Sequence, residues 1–228
     1  MMKMISKSLQ HYVDKLRSNE KFSFTRWGDG EWGCAFGAKG ANCDNHKYFP
    51  KMSSDLIKAL KHDKHYIKAS WPLSVPMFSA IHPRITEFIK NQHIEYDWHD
   101  ARVWEEAAMA GELTPLIEQL EQMNFIIVSG KSKRELPVSY TDFIEIPDVD
   151  CYLEKERIKR DVMNMCKKYP EPVFGFSVSM ASNVIVDQLY DEVGNECWMI
   201  DFGSIWEPYI GQITRSYHHR YKTKELAT

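Results

Sequence analysis

A single α/β domain with a mostly parallel central sheet flanked by helices is the architecture this 228-residue chain predicts. Three observations carry that expectation. Short apolar runs alternate with segments of helical periodicity along the whole chain, the signature of a parallel sheet with helical crossovers. Phe125 to Val128 form a four-residue apolar run ending in Ser-Gly-Lys, as a central strand does. Hydrophobic residues make up 43% and charged residues 27%, the balance of an ordinary globular protein with one good core.

The elements follow in order. Apolar residues at 5, 9, 12, 13 and 16 make a helical stripe from Ile5 to Leu16, and Phe22, Phe24 and Arg26 read as a short buried strand. A glycine-rich stretch (Gly33, Gly37, Gly40) follows, either a lid or a flexible connection. Ser53 or Ser54 can then cap a helix through Leu60. His65 to Ala69 is a strand, Pro72 and Pro76 punctuate, and one helix bent at Pro83 is expected from Met77 to Asn91. Ala101 to Met109 and Leu113 to Gln122 read as amphipathic helices. After Phe125 to Val128 come the strand DFIEIP, a helix from Tyr152 to Lys168 and a strand from Val173 to Phe176. A helix opened by Ser179 or Ser182 and the strand CWMID, ending at Asp201, complete the series. The domain is expected over residues 1–216, with 217–228 a fraying tail.

No apolar run approaches a membrane span, and MMKMISKSLQHYVDKL lacks a signal-peptide core, so a cytoplasmic protein is expected. Five scattered cysteines show no zinc spacing and suggest reduced thiols. The net charge of −3 argues against broad capture of nucleic acid. Close histidine pairs, His62 with His65 and His218 with His219, read as surface residues. There is no G-x-S-x-G nucleophile elbow.

In open parallel sheets ligands bind beyond the carboxyl ends of the strands. Three segments end strands with reactive residues there. In RWGDGE (26–31), Asp29 and Glu31 project the same way if the backbone is extended, and Gly28 and Gly30 let a ligand approach, so the pair could share Mg²⁺ or Mn²⁺. The plain alternative is a Gly/Asp turn. Arg26 offers a fork for an anion, and Trp27 and Trp32 offer ring faces for a base or sugar. Ser129-Gly130-Lys131-Ser132-Lys133-Arg134 is a short basic turn able to hold phosphate or ribose through its backbone N–H groups and cations, or simply solvated, without P-loop spacing. Asp201-Phe202-Gly203-Ser204 places a carboxylate at a strand end, as a base or as a cap.

The ordered set RWGDGE, an apolar strand ending in Ser-Gly, FGFSVSMASNVIVDQLY and MIDFGSIWEPY resembles the GT-D fold family of bacterial and phage glycosyltransferases over nearly the whole chain. The resemblance implies a Rossmann-like fold in which Asp29 and Glu31 face a metal and the diphosphate of a nucleotide sugar, supported by Arg26 and Gly28. Gly175 and Ala181 would belong to the family's glycine-and-alanine helix start, and Asp201 and Gly203 to its final motif; the chain departs from the family at Phe176, Met180 and Ser204. The donor implied is a UDP-sugar. The acceptor is a protein-linked glycan or a hydroxymethylated base in phage DNA, for which His218, His219, Arg220 and Lys222 would supply a contacting edge. Asp201, Glu207 and Asp97 are the carboxylates that could serve as the acceptor's base. Two other readings stay open: a metal-dependent nucleotide phosphohydrolase, and a non-catalytic nucleotide-binding module.

Overall fold

The computed structural model describes residues 3–72 and 75–222. In chain order the elements are β1 (Lys3–Ile5), α1 (Leu9–Arg17), β2 (Ser23–Trp27), α2 (Asp29–Ala35), α3 (Pro50–Lys61), β3 (Ile67–Ser70), α4 (Pro76–Ser79), α5 (His82–Asn91) and β4 (Asp97–Asp100). There follow α6 (Val103–Ala110), α7 (Thr114–Glu121), β5 (Phe125–Gly130), β6 (Asp142–Ile146), α8 (Lys155–Lys168), β7 (Val173–Ser177), α9 (Ala181–Val193) and β8 (Trp198–Asp201). The strands form one eight-stranded sheet in the order β1-β4-β3-β2-β8-β7-β5-β6. Every pairing is parallel.

A parallel sheet must bury both faces, and the alternation of side chains shows how. On β5, Ile126 and Val128 join one apolar cluster with Ile158 of α8 and Ile185 of α9, while Phe125 and Ile127 join the other with Leu116 of α7 and Val13 of α1. The apolar run from 125 to 128 therefore serves two cores, which is why it has no polar face. Gly175, at the middle of β7, belongs to this packing: a Cβ there would lie 2.7 Å from the Phe125 ring.

Strands β1 and β4, the outermost pair on one side of the sheet, are not expected from the sequence. Lys-Met-Ile and Asp-Trp-His-Asp carry too few apolar residues to read as strands, and only backbone pairing with a neighbour makes them so. The first helix accordingly begins at Leu9, not Ile5. The expected Met77–Asn91 helix is two, α4 and α5, with Pro83 in the first turn of α5, where its missing N–H is harmless. The C-terminal stretch is a further correction: a 3₁₀ turn over Ser216–Arg220 packs on the body, with His218 at 2% exposure. Residues 223–228 of the expected tail lie outside the described residues.

Adjacent strands β7 and β5 send their outgoing connections opposite ways, to β8 and to β6. Such divergence opens a crevice at the carboxyl edge of a parallel sheet.

Candidate functional site

A cavity of about 650 Å³ lies at that edge, within the usual range for small-ligand sites. It runs along the ends of β2, β8, β7, β5 and β6, and two more segments wall it: the loop 42–46 and the C-terminal stretch 207–217. All three sequence-predicted segments meet here. Arg26, Gly28, Asp29, Gly30 and Glu31 come from β2, Ser129 and Gly130 from β5, and Asp201, Gly203 and Ser204 from β8.

The Gly-Asp-Gly-Glu tetrapeptide is the start of α2, not an extended loop. Gly28 is its extended N-cap, and the Glu31 carboxylate turns back to accept the Gly28 N–H at 2.8 Å, half of a capping box. At about 100° per residue, positions 29 and 31 diverge on a helix. Asp29 is accordingly exposed, with no hydrogen-bond or ion-pair partner for its carboxylate among the described residues, whereas Glu31 is drawn inward. Both still border the cavity. Burial, then the charges of Asp201 and Asp29, push the Glu31 carboxyl up to about 7 against the hydrogen bonds it accepts.

Asp201 is fixed at both oxygens, by the Ser182 hydroxyl of α9 at 2.6 Å and by the Gly203 N–H at 2.9 Å. Burial raises its pKa, and the Arg26 charge opposes the rise. α9 also holds the end of β2, through the Asn183 amide on the Arg26 carbonyl at 2.8 Å.

Arg26 does not keep its fork free for an anion. Its guanidinium pairs with Glu105 of α6 and donates to the carbonyls of Ala101 at 3.1 Å and Phe202 at 3.3 Å. Its cationic role is internal: it neutralises a buried glutamate beneath the cavity floor. In the sequence Glu105 reads as one more position of an amphipathic helix, because no local signal marks a carboxylate whose partner lies 79 residues away.

Lys133 and Arg215 supply the cavity's other cations. Lys133, 6% exposed, comes from the 3₁₀ turn after β5 and lies 3.6 Å from Glu207 and 3.3 Å from the Gln212 amide oxygen. Arg215 pairs with Asp44 of the 42–46 loop. Within the same C-terminal stretch the Thr214 N–H donates to His218 Nδ1 at 3.3 Å, so Nε2 carries the proton toward Ser204 Oγ at 3.2 Å. His218 is thus a buried tie, not a surface residue or part of a DNA-contacting edge, and Lys222 donates to the Ala110 carbonyl. Ser179, at φ 51°, holds a left-handed conformation after β7 and accepts from the Asn42 amide at 2.9 Å.

Several predicted residues lie elsewhere. Trp27 and Trp32 are fully buried in the core, and Trp71, just beyond β3, is the tryptophan that borders the cavity. Lys131 is exposed and outside the cavity lining, because the turn directs Lys133 inward instead. Gly175 and Ala181 are packing positions in β7 and at the start of α9. Asp97 opens β4, at the amino end of its strand, and pairs with Lys3.

The chain matches no protein-family model, and no curated protein or solved structure is significantly similar to it. The chemistry of the cavity is therefore read from its own groups. Six carboxylates border it (Asp29, Glu31, Asp44, Asp148, Asp201, Glu207) against three cations (Arg26, Lys133, Arg215), each of which already faces a carboxylate. Among the described residues, no three His, Cys, Asp or Glu side chains converge to hold a metal ion by themselves. A hard divalent cation nevertheless suits the donors present: they are oxygens, they are in electrostatic excess, and Mg²⁺-like ions ordinarily complete their shell with water and substrate phosphate. No helix among the described residues is long and apolar enough to cross a membrane.

Proposed function

We propose that this cavity binds a nucleotide sugar, with UDP as the expected nucleotide, and transfers its sugar to a hydroxyl acceptor with the help of Mg²⁺ or Mn²⁺ at Asp29 and Glu31. The observation that carries this reading is the excess of carboxylates at the carboxyl edge of the sheet, where Asp29, Glu31, Asp148 and Asp201 have no ion-pair partner among the described residues. Such a site repels a bare diphosphate and welcomes one that arrives with a divalent cation. When bound, that cation supplies charge neutralisation to the departing diphosphate.

The chain's own residues hold the site in shape. Gly28 and Gly30 keep the start of α2 narrow, and the Gly28–Glu31 bond fixes the Glu31 carboxylate. Arg26, locked on Glu105, moderates the charge of Asp201 from below. Asp201 and Glu207 both border the cavity as carboxylates for the acceptor's proton; Asp97, at the amino end of β4, lies at the opposite edge of the sheet and does not border it. The acceptor classes remain a protein-linked glycan and a hydroxymethylated base in DNA.

Thermal unfolding with UDP and UDP-sugars, in Mn²⁺ or in chelator, tests the proposal, because a ligand of the native state alone raises the melting temperature by mass action. Stabilisation that requires the cation, and that Asp29→Asn weakens, is the expected result. Equal stabilisation in chelator, or indifference to every nucleotide, overturns it. Phosphate release from nucleotides without any acceptor points to a phosphohydrolase instead.

A further inference from the structure

We infer that Lys133 and Arg215 form the phosphate-gripping wall of the cavity, each held in place by a carboxylate and offering its remaining N–H groups to a diphosphate. This rests on the nucleotide-sugar reading above and assigns the anion side of that site, for which the sequence offers Arg26 and the basic turn 129–134 without choosing among their cations.

The two cations arrive from distant parts of the chain. Lys133 lies just past β5 and Arg215 in the C-terminal stretch, and both border the cavity. They also meet around one corner: Lys133 lies 3.6 Å from Glu207, and that carboxylate accepts from the Thr214 hydroxyl to which Arg215 donates and lies 3.9 Å from His218 Nδ1.

Their resting contacts leave capacity. An ammonium has three donors and a guanidinium five. Among the described residues, Lys133 reaches Gln212 at 3.3 Å and Glu207 at 3.6 Å, both long. Arg215 spends Nη2 on Asp44 and Nη1 on the carbonyl and hydroxyl of Thr214, both at 3.1 Å, so its Nε–H has no acceptor among the described residues. Arg26 also makes three bonds, but they engage Nε and both terminal nitrogens, so that, unlike Arg215, it has no nitrogen without an acceptor of its own among the described residues.

Burying a lysine to 6% exposure disfavours its charged form, and here burial does lower the Lys133 pKa. Glu207 and Asp44 are positioning residues in this scheme. They orient each cation beforehand, so that little side-chain freedom remains to be lost when phosphate arrives.

The test is calorimetric titration of inorganic pyrophosphate and of UDP, each with Mn²⁺, into the wild-type chain, Lys133→Gln, Arg215→Gln and the control Arg134→Gln. Arg134 sits in the same turn but is exposed and paired with Glu145. Loss of one charge-assisted hydrogen bond weakens binding roughly tenfold to a hundredfold. That loss is expected for Lys133→Gln and Arg215→Gln with both ligands, and an unchanged affinity for Arg134→Gln. Arg215 is partly exposed, so its variant carries the test even where Lys133→Gln fails to fold. If the wild type binds and both variants bind within twofold of it, or Arg134→Gln loses as much, this assignment falls while the nucleotide-sugar reading stands. If the wild type binds neither ligand in Mn²⁺, both fall.

Discussion

Gly203 lies against the guanidinium of Arg26: a Cβ at position 203 would sit 1.8 Å from Nη1. The glycine also has φ +58°, a left-handed conformation that an L-residue adopts at a cost of about 1–2 kcal/mol. The turn after β8 is therefore bound to glycine twice, by its backbone and by the side chain packed on it.

Gly203→Ala should lower the melting temperature by more than the roughly 2–8 °C that the backbone cost alone implies for a chain of this size. Gly211→Ala separates the two effects, since Gly211 has φ +76° with nothing within 4 Å of a Cβ. Scanning calorimetry should show the larger fall at 203. Equal falls would mean that Arg26 yields freely and does not constrain the turn.

The Arg26–Glu105 pair is buried, and removing one partner strands the other's charge. Glu105→Gln should destabilise the protein by about 3–5 kcal/mol. The double change Arg26→Met with Glu105→Met should recover part of that loss; recovery stays partial because the Ala101 and Phe202 carbonyls lose their donor. Urea denaturation measures both. Strictly additive losses would show that the two side chains do not depend on one another.

Glu31 sets a dependence on pH. Its folded pKa is raised from the ordinary 4.5 to about 7, so the native chain keeps a proton that the unfolded chain releases. The stability tied to that proton is fully present below pH 4.5 and is lost as pH rises to about 7. Glu31→Gln cannot ionise, yet its amide oxygen can still accept the Gly28 N–H. In chelator, the stability of the variant relative to the wild type should therefore rise between pH 5 and pH 8. Parallel pH curves from urea titrations would contradict the buried, proton-holding carboxyl.

Much of the fold was legible because its signals are local. The β5 run at 125–128 is apolar throughout, and only a strand covered on both faces uses such a run, so its central place in a parallel sheet could be read from four residues. β1 and β4 carried no such pattern; their strand character comes from pairing across 94 positions of chain, as Lys3 with Asp97. Asp29, Glu31 and Asp201 were found because reactive residues at strand ends stand out against their apolar neighbours.

By itself, then, the sequence determined the alternation of strands and helices and the placing of an acidic turn after β2 and β8, because those depend on side-chain period and on residue type at strand ends. Which cation stays with the cavity wall and which is spent on a buried partner was decided only by the tertiary structure. Arg26 and Lys133 are both basic residues at or just beyond a strand end. Arg26 is consumed because the fold brings Glu105 against it, and Lys133 is turned inward because the C-terminal stretch folds back with Glu207 and Gln212 to meet it. Those partners come from distant parts of the chain, and a charge's role is set by what surrounds it.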